Sequence, residues 1–343
     1  MRRAAIMLLG GLMAGTVATV APAVAAAQDT HLVVIVGVGG DEEHRDRFHD
    51  WAVTLVDTAS ERFGLPADRV HYLGERVERD PDRIEARSSM DDIQATLRDI
   101  AVTAAPSDTL VIVLIGHGSS DESGPKFNVP GRDPTAFDFG VLLEGFPSQR
   151  IVFVNAATAS GEFVAALSGP RRTIVTATKT GRERNDSLFG GYFVAAFGGD
   201  GDSDLDKDGR VSVLEAYTYA RRQVAQAYEN DGLLLTEHAL LDDNGDGEGS
   251  HEPDPEEADG AIARTLFLAP RPGEDAARSV AAAGSPELQS LYAERIALEE
   301  RIDMLRAARS GLDPADYDRQ LETLMIDLAR ASRAIRELED KTP

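Results

Sequence analysis

An α/β protein built on a mainly parallel sheet with helices on both faces is what this 343-residue chain predicts, on three observations. First, His31–Val38, Thr109–Ile115, Gln149–Asn155 and Arg172–Thr178 are nearly unbroken runs of β-branched residues and leucine, the composition of strands buried on both faces. Second, the segments between them carry apolar residues at helical spacing and are long enough to return the chain across a sheet, which implies parallel crossovers. Third, the strands run into turns rich in glycine and polar residues at their carboxyl ends, the edge where sites form in open α/β sheets.

Residues 1–27 stand apart from the fold. Arg2 and Arg3 form a basic start, Ala4–Val20 an apolar stretch, and Ala25-Ala26-Ala27 a small-residue cleavage site ahead of Gln28. The pattern predicts export to the periplasm or the extracellular space, with Gln28 as the new amino terminus and no stable membrane insertion after cleavage. With no cysteine, the exported chain has no disulfides, so its stability must come from core packing and bound ions. The hydrophobic fraction of 42% is ordinary for a globular protein, but the net charge of -24 is not. That charge argues against nucleic acid as a partner and favours cations or basic ligands.

His31–Val38 is the first strand and Gly39-Gly40-Asp41 its turn. In Glu43–Phe63, the residues Phe48, Trp51, Ala52, Leu55, Val56, Ala59 and Phe63 share one helical face, which predicts an amphipathic helix on the sheet with His44 and His49 on its solvated side. Arg69–Leu73 predicts a second strand near an edge, and the charged Glu75–Arg87 a mobile surface loop. Ser88 or Ser89 caps the next helix, since an aspartate follows three residues beyond each. Ile93, Leu97, Ile100 and Ala101 are its buried stripe.

Thr109–Ile115 delivers His117, flanked by Gly116 and Gly118, just past the carboxyl end of a central strand. The following Ser119–Pro134, rich in Gly, Pro, Ser and Asp, is expected to form a cleft wall. The next strand, Gln149–Asn155, runs into Ala156-Ala157-Thr158-Ala159-Ser160-Gly161 and a helix over Glu162–Leu167. Arg172–Thr178 then supplies a fifth strand. A strand ending in His-Gly, followed by a strand ending in Ala-x-x-Ser-Gly, resembles the caspase-like clan of cysteine peptidases, nearest its legumain branch. In that family the second motif reads Ala-Cys-x-Ser-Gly, and the histidine and cysteine form the catalytic dyad. His117 and Gly118 match the first motif, and Ala157, Ser160 and Gly161 match the second, but Thr158 stands at the cysteine position. The resemblance covers about Leu32 to Leu268 and implies a caspase-like fold with a vestigial dyad of His117 and Thr158. A thiolate beside an imidazolium is a ready nucleophile near neutral pH, whereas a hydroxyl needs a strong base as its proton leaves. A Thr–His pair without an orienting third group is therefore a poor peptidase.

Asp204–Glu215 (DLDKDGRVSVLE) carries oxygen ligands at the spacing of an EF-hand calcium loop. Asp204, Asp206 and Asp208 point carboxylates inward, Gly209 makes the sharp turn, Arg210 offers its carbonyl, Ser212 binds directly or through water, and Glu215 binds with both oxygens. Gly198 and Gly199 break the helix leading in, while Val213–Tyr228 is a clear exiting helix. A second acidic run, Asp242–Pro253, repeats half the pattern with Asp242, Asn244 and Asp246, but Pro253 occupies the twelfth position and cannot ligate. It is either a second calcium site or an acidic loop. Ala263–Leu268 is expected to return as a last strand.

Beyond Ala269, a linker over 270–284 rich in Pro, Gly and Ala precedes two helices with alternating three- and four-residue apolar spacing. Leu288, Leu291, Arg295, Leu298, Ile302 and Leu305 form one seam; Tyr317, Leu321, Leu324, Leu328, Ala331, Ile335 and Leu338 form the other. Asp313-Pro314 caps and starts the second helix. A C-terminal α-helical coiled-coil hairpin over 285–343 is expected, closed on itself or pairing with another chain.

Together these features point to an exported calcium-binding domain with a pseudopeptidase cleft that binds a peptide or protein partner. Two alternatives remain open: an active hydrolase using Thr158 or Ser160 with His117, and a structural envelope protein assembling through its helical tail.

Overall fold

Alternation along the strands decides which helix covers which face of the sheet. In the computed structural model, which describes residues 29–122, 124–199, 202–256, 259–268, 286–307 and 313–339, the chain opens with β1 (Thr30–Val36), α1 (Glu42–Asp57), β2 (Val70–Gly74), β3 (Ala86–Arg87) and α2 (Met90–Thr103). It continues through β4 (Thr109–Ile115), β5 (Gly118–Asp121), β6 (Gly124–Phe127), α3 (Ala136–Leu143), β7 (Arg150–Asn155), α4 (Phe163–Leu167), β8 (Arg172–Thr176), α5 (Phe189–Gly198), α6 (Val213–Asn230) and β9 (Leu240–Asp242). The segments expected as an export signal over 1–27 and as a linker over 270–284 lie outside the described residues.

Seven strands form one sheet in the order β3-β2-β1-β4-β7-β8-β9, parallel throughout except for the antiparallel β8–β9 pair. The protein is thus an α/β fold with a mostly parallel sheet flanked by helices. Val34, Val113, Val154 and Val175 project to the face covered by α1, α5 and α6. Their neighbours Val33, Ile112, Phe153 and Ile174 project to the face covered by α2, α3 and α4. Fully burying such a side chain contributes about 1.5–3 kcal/mol, so both faces need apolar residues and the strands read as continuous apolar runs.

The helices begin where a side chain satisfies their first free N–H groups. Asp41 accepts from the His44 amide for α1 and Ser89 from the Asp92 amide for α2, while Thr135 and Ser212 form capping boxes with Asp138 and Glu215.

Several expectations are corrected. His49 is not solvated: its ring reaches the Tyr72 hydroxyl at 2.8 Å, because the side of α1 that leaves the sheet is covered by the β2–β3 connection. Within Glu75–Arg87, expected as a mobile loop, Ile84 is buried and Arg83 pairs with Asp57 through both oxygens, and Ala86–Arg87 adds the edge strand β3. Ser119–Pro134 holds the β5–β6 hairpin. Ala263–Leu268 is not a strand but a turn of 3₁₀ helix followed by a single bridge between Phe267 and Ser212.

After the sheet, α7 (Pro286–Ala307) and α8 (Pro314–Glu339) share two apolar clusters. Leu298, Ile302 and Leu305 meet Tyr317 and Leu324 near the turn, and Leu288 and Tyr292 meet Ile335 at the far end, so the helices run antiparallel. Arg295 lies in this seam with its guanidinium 5.2 Å from the Tyr292 ring centroid. No described helix is long and apolar enough to cross a membrane.

Candidate functional site at the carboxyl edge of the sheet

Four connections meet at the carboxyl ends of β1, β4, β7 and β8. Gly118 follows β4 and Thr158 follows β7, and their approach leaves no room for a side chain at 118, where a Cβ would fall 2.2 Å from the Thr158 carbonyl oxygen. That contact is why the position after the histidine is glycine. The Gly118 N–H donates to Thr158 Oγ1 at 3.0 Å, and the Thr158 hydroxyl donates back to the Gly118 carbonyl at 3.2 Å. Thr158 is 4% exposed. Its hydroxyl is thus committed to the backbone rather than to an imidazole.

Ser160 is paired in the same way, one layer deeper. Its amide donates to Thr178 Oγ1 at 2.8 Å, its hydroxyl lies 3.1 Å from that oxygen, and the Thr178 amide donates to Ser160 Oγ at 3.2 Å. Between the two, Ala159 has a left-handed φ of 53°, a conformation costly for a residue with a Cβ. Its amide is held by the Glu183 carbonyl at 2.9 Å. The hairpin and the β8–α5 connection close against each other here: Arg184 Nη2 donates to the Ser120 carbonyl at 2.9 Å.

The His117 ring turns instead toward α1. Its centroid is 4.8 Å from that of His44 and 5.1 Å from that of Phe48, the latter edge-on. His44, expected in solvent, is largely covered and sits between two carboxylates, with Nδ1 2.8 Å from Asp41 Oδ1 and Nε2 2.8 Å from Asp186 Oδ2. Arg47 Nη2 donates to the same Asp186 oxygen at 3.0 Å. These neighbours push the two imidazoles apart in proton affinity. The hydrogen bond to Asp41, then that to Asp186, holds His44 above the ordinary histidine range. Burial, then the charge of His44, holds His117 below it, against a hydrogen bond from the ring to the Gly39 backbone. Neither His44 nor Asp186 has a motif around it; only the fold brings Asp186, far along the chain, against the first turn of α1.

The acidic loop before α6 gathers Asp204, Asp206 and Asp208, each with an oxygen within 4.8 Å of the others. Burial, together with the negative charge of Asp206 and Glu215, raises Asp208, a repulsion that a divalent cation relieves. The donors are carboxylate oxygens, the type that hard divalent cations take. Glu215, however, is engaged elsewhere: Oε1 accepts from the Leu205 and Asp206 amides, and Oε2 from the Ser212 amide and hydroxyl. Ser212 caps α6 here, because the same Ser-x-x-Glu spacing that suits an ion also builds a capping box. The Arg210 amide donates to Asp208 at 2.8 Å, and its guanidinium lies 3.6 Å from the Phe267 ring centroid.

In the second acidic run, Asp242 ends β9 at 1% exposure; its Oδ1 accepts from Gly245, and its Oδ2 has no partner. A buried carboxylate oxygen left unpaired is costly unless a cation meets it, so this residue fits a ligand role. Asn244 and Asp246 bond each other at 3.0 Å within the turn. Sequence reasoning missed Asp243 and Asp259. Asp243 accepts from the Gly260, Ile262 and Ala263 amides, and Asp259 accepts from the Asp243 amide and the Ser250 hydroxyl. These two carboxylates fold the acidic run by binding its backbone, a role with no periodic signature.

No protein-family model matches the chain, and a search of curated proteins finds no match either.

Proposed function

We propose that this chain is an exported caspase-like domain of the legumain type that has stopped cleaving and binds a peptide or protein partner along the carboxyl edge of its sheet. The observation that carries this reading is the commitment of Thr158, at the nucleophile position, to both backbone groups of Gly118. A hydroxyl that already donates its proton to a carbonyl, while the His117 ring is turned toward His44 and Phe48 of α1, has no base hydrogen-bonded to it and no free trajectory for attack. Ser160 is buried in its pairing with Thr178 and offers no alternative nucleophile. Calcium in the Asp204–Asp208 loop, with a second ion at Asp242, would neutralise clustered charge and brace the connections into α6 and out of β9. The tail helices would form a coiled-coil hairpin whose seam closes largely on itself.

Fluorophosphonate labelling of the calcium-loaded protein tests this reading. No covalent label is expected. A label that disappears in Thr158→Ala or Ser160→Ala would restore the hydrolase.

A further inference from the structure

We propose that His44, His117 and Asp186 form a binding site for a divalent transition-metal ion of the zinc class. One ligand atom from each lies within 4.8 Å of the other two, and they come from the first turn of α1, the β4–β5 turn and the β8–α5 connection. Two imidazoles and one carboxylate are the donor set of borderline ions such as zinc rather than of calcium, which takes oxygens.

The surroundings of the ligands are the second observation. A metal-binding histidine usually gives its other ring N–H to a carboxylate or a carbonyl, which fixes the ring and raises its basicity. His44 has such a partner outside the cluster. His44 Nδ1 is 2.8 Å from Asp41 Oδ1, leaving Nε2 to face Asp186. Arg47 holds Asp186 in place through Oδ2, and Oδ1 accepts no hydrogen bond from the described residues. An ion seated here replaces the His44–Asp186 hydrogen bond with two coordination bonds. Asp186 is exposed on its outer side, so water completes the coordination sphere.

Phe48 edges the His117 ring and seals the inner side, which restricts the ion to approach from solvent. The proposal stands on these side chains and does not depend on the peptidase resemblance.

The test titrates Co²⁺, followed by its visible d–d absorption, and then competing Zn²⁺, into the full chain with excess calcium present to fill the acidic loops. One Co²⁺ per chain is expected, displaced by Zn²⁺. His44→Ala and Asp186→Asn should each weaken binding about tenfold or more, and Asp41→Asn should weaken it by about 10- to 100-fold while the three ligands remain. His71→Ala, which removes a histidine paired with Glu85 far from the cluster, should leave binding unchanged. Unchanged Co²⁺ affinity in His44→Ala and Asp186→Asn, each verified as folded by circular dichroism, overturns the proposal. So does binding that disappears instead in Asp206→Asn, which would place the ion in the acidic loop.

Discussion

Thr158 and Gly118 grip each other twice, with the glycine amide donating to the threonine hydroxyl at 3.0 Å and that hydroxyl donating to the glycine carbonyl at 3.2 Å. This reciprocal pair joins the carboxyl ends of β4 and β7 at the point where a peptidase of the proposed lineage would keep its nucleophile free. Thr158→Val, nearly equal in volume, leaves two backbone groups without their partner and should destabilise the protein by about 1–3 kcal/mol. Denaturant unfolding measures the difference.

Thr158→Cys should not recreate a reactive dyad. The position is 4% exposed, and the adjacent His117 is held toward its neutral form by burial and by the charge of His44. Without an imidazolium to stabilise a thiolate, the introduced thiol should react with iodoacetamide at pH 6 more slowly than a free peptide thiol. Faster alkylation would mean that the imidazole is charged and turned toward residue 158.

Removal of the proposed calcium ion should lower the melting temperature, because the repulsion among Asp204, Asp206 and Asp208 would then return. Asp206→Asn keeps a side-chain acceptor for the Asp208 amide while deleting one charge, so it should abolish much of the chelator response with little change to the metal-free protein. Glu215→Gln should do worse in both states, since Glu215 also caps α6. A chelator-insensitive melting curve in the parent protein argues that the loop binds no ion under those conditions.

Glu237 should make stability fall as pH rises. Burial lifts its carboxyl above the ordinary range, even though the Ser187 hydroxyl and the Leu188 and Phe189 amides at the start of α5 bond the charged form. The folded state therefore holds this proton where the unfolded chain has released it, and stability present below the ordinary glutamate pKa is lost as pH climbs through the folded one. Melting temperatures from about pH 4.5 to neutrality should decline less in Glu237→Gln than in the parent. Parallel curves would remove Glu237 as the source.

Leu324 sits in the apolar cluster between α7 and α8 at 6% exposure. Leu324→Asp buries an unpaired charge in that seam, so the tail should lose helical signal and become protease-sensitive while the sheet domain keeps its melting transition. Sedimentation across a concentration series checks the seam's partner: a mass that rises with concentration in the parent and not in the variant would assign it to a second chain.

The sheet was legible from residues alone because buried parallel strands must be apolar on both faces, and that requirement writes runs such as Val111–Leu114 directly into the sequence. Helix starts at Ser89 and the acidic spacing from Asp204 were legible for the same reason: caps and ion loops are local, and their residues fall within one turn of chain. What only tertiary structure decided is long-range and polar. His44 read as a solvated helix residue until the β8–α5 connection brought Asp186 against it, and no spacing links positions 142 residues apart. Ser212 and Glu215 satisfy two local patterns at once, and the capping box is the one their hydrogen bonds form in the structure. Asp243 and Asp259 carry no sequence pattern that marks them, yet they are buried with backbone amides as hydrogen-bond donors. A polar side chain carries no periodicity, and which partner it meets is settled only when the sheet sets its connections side by side.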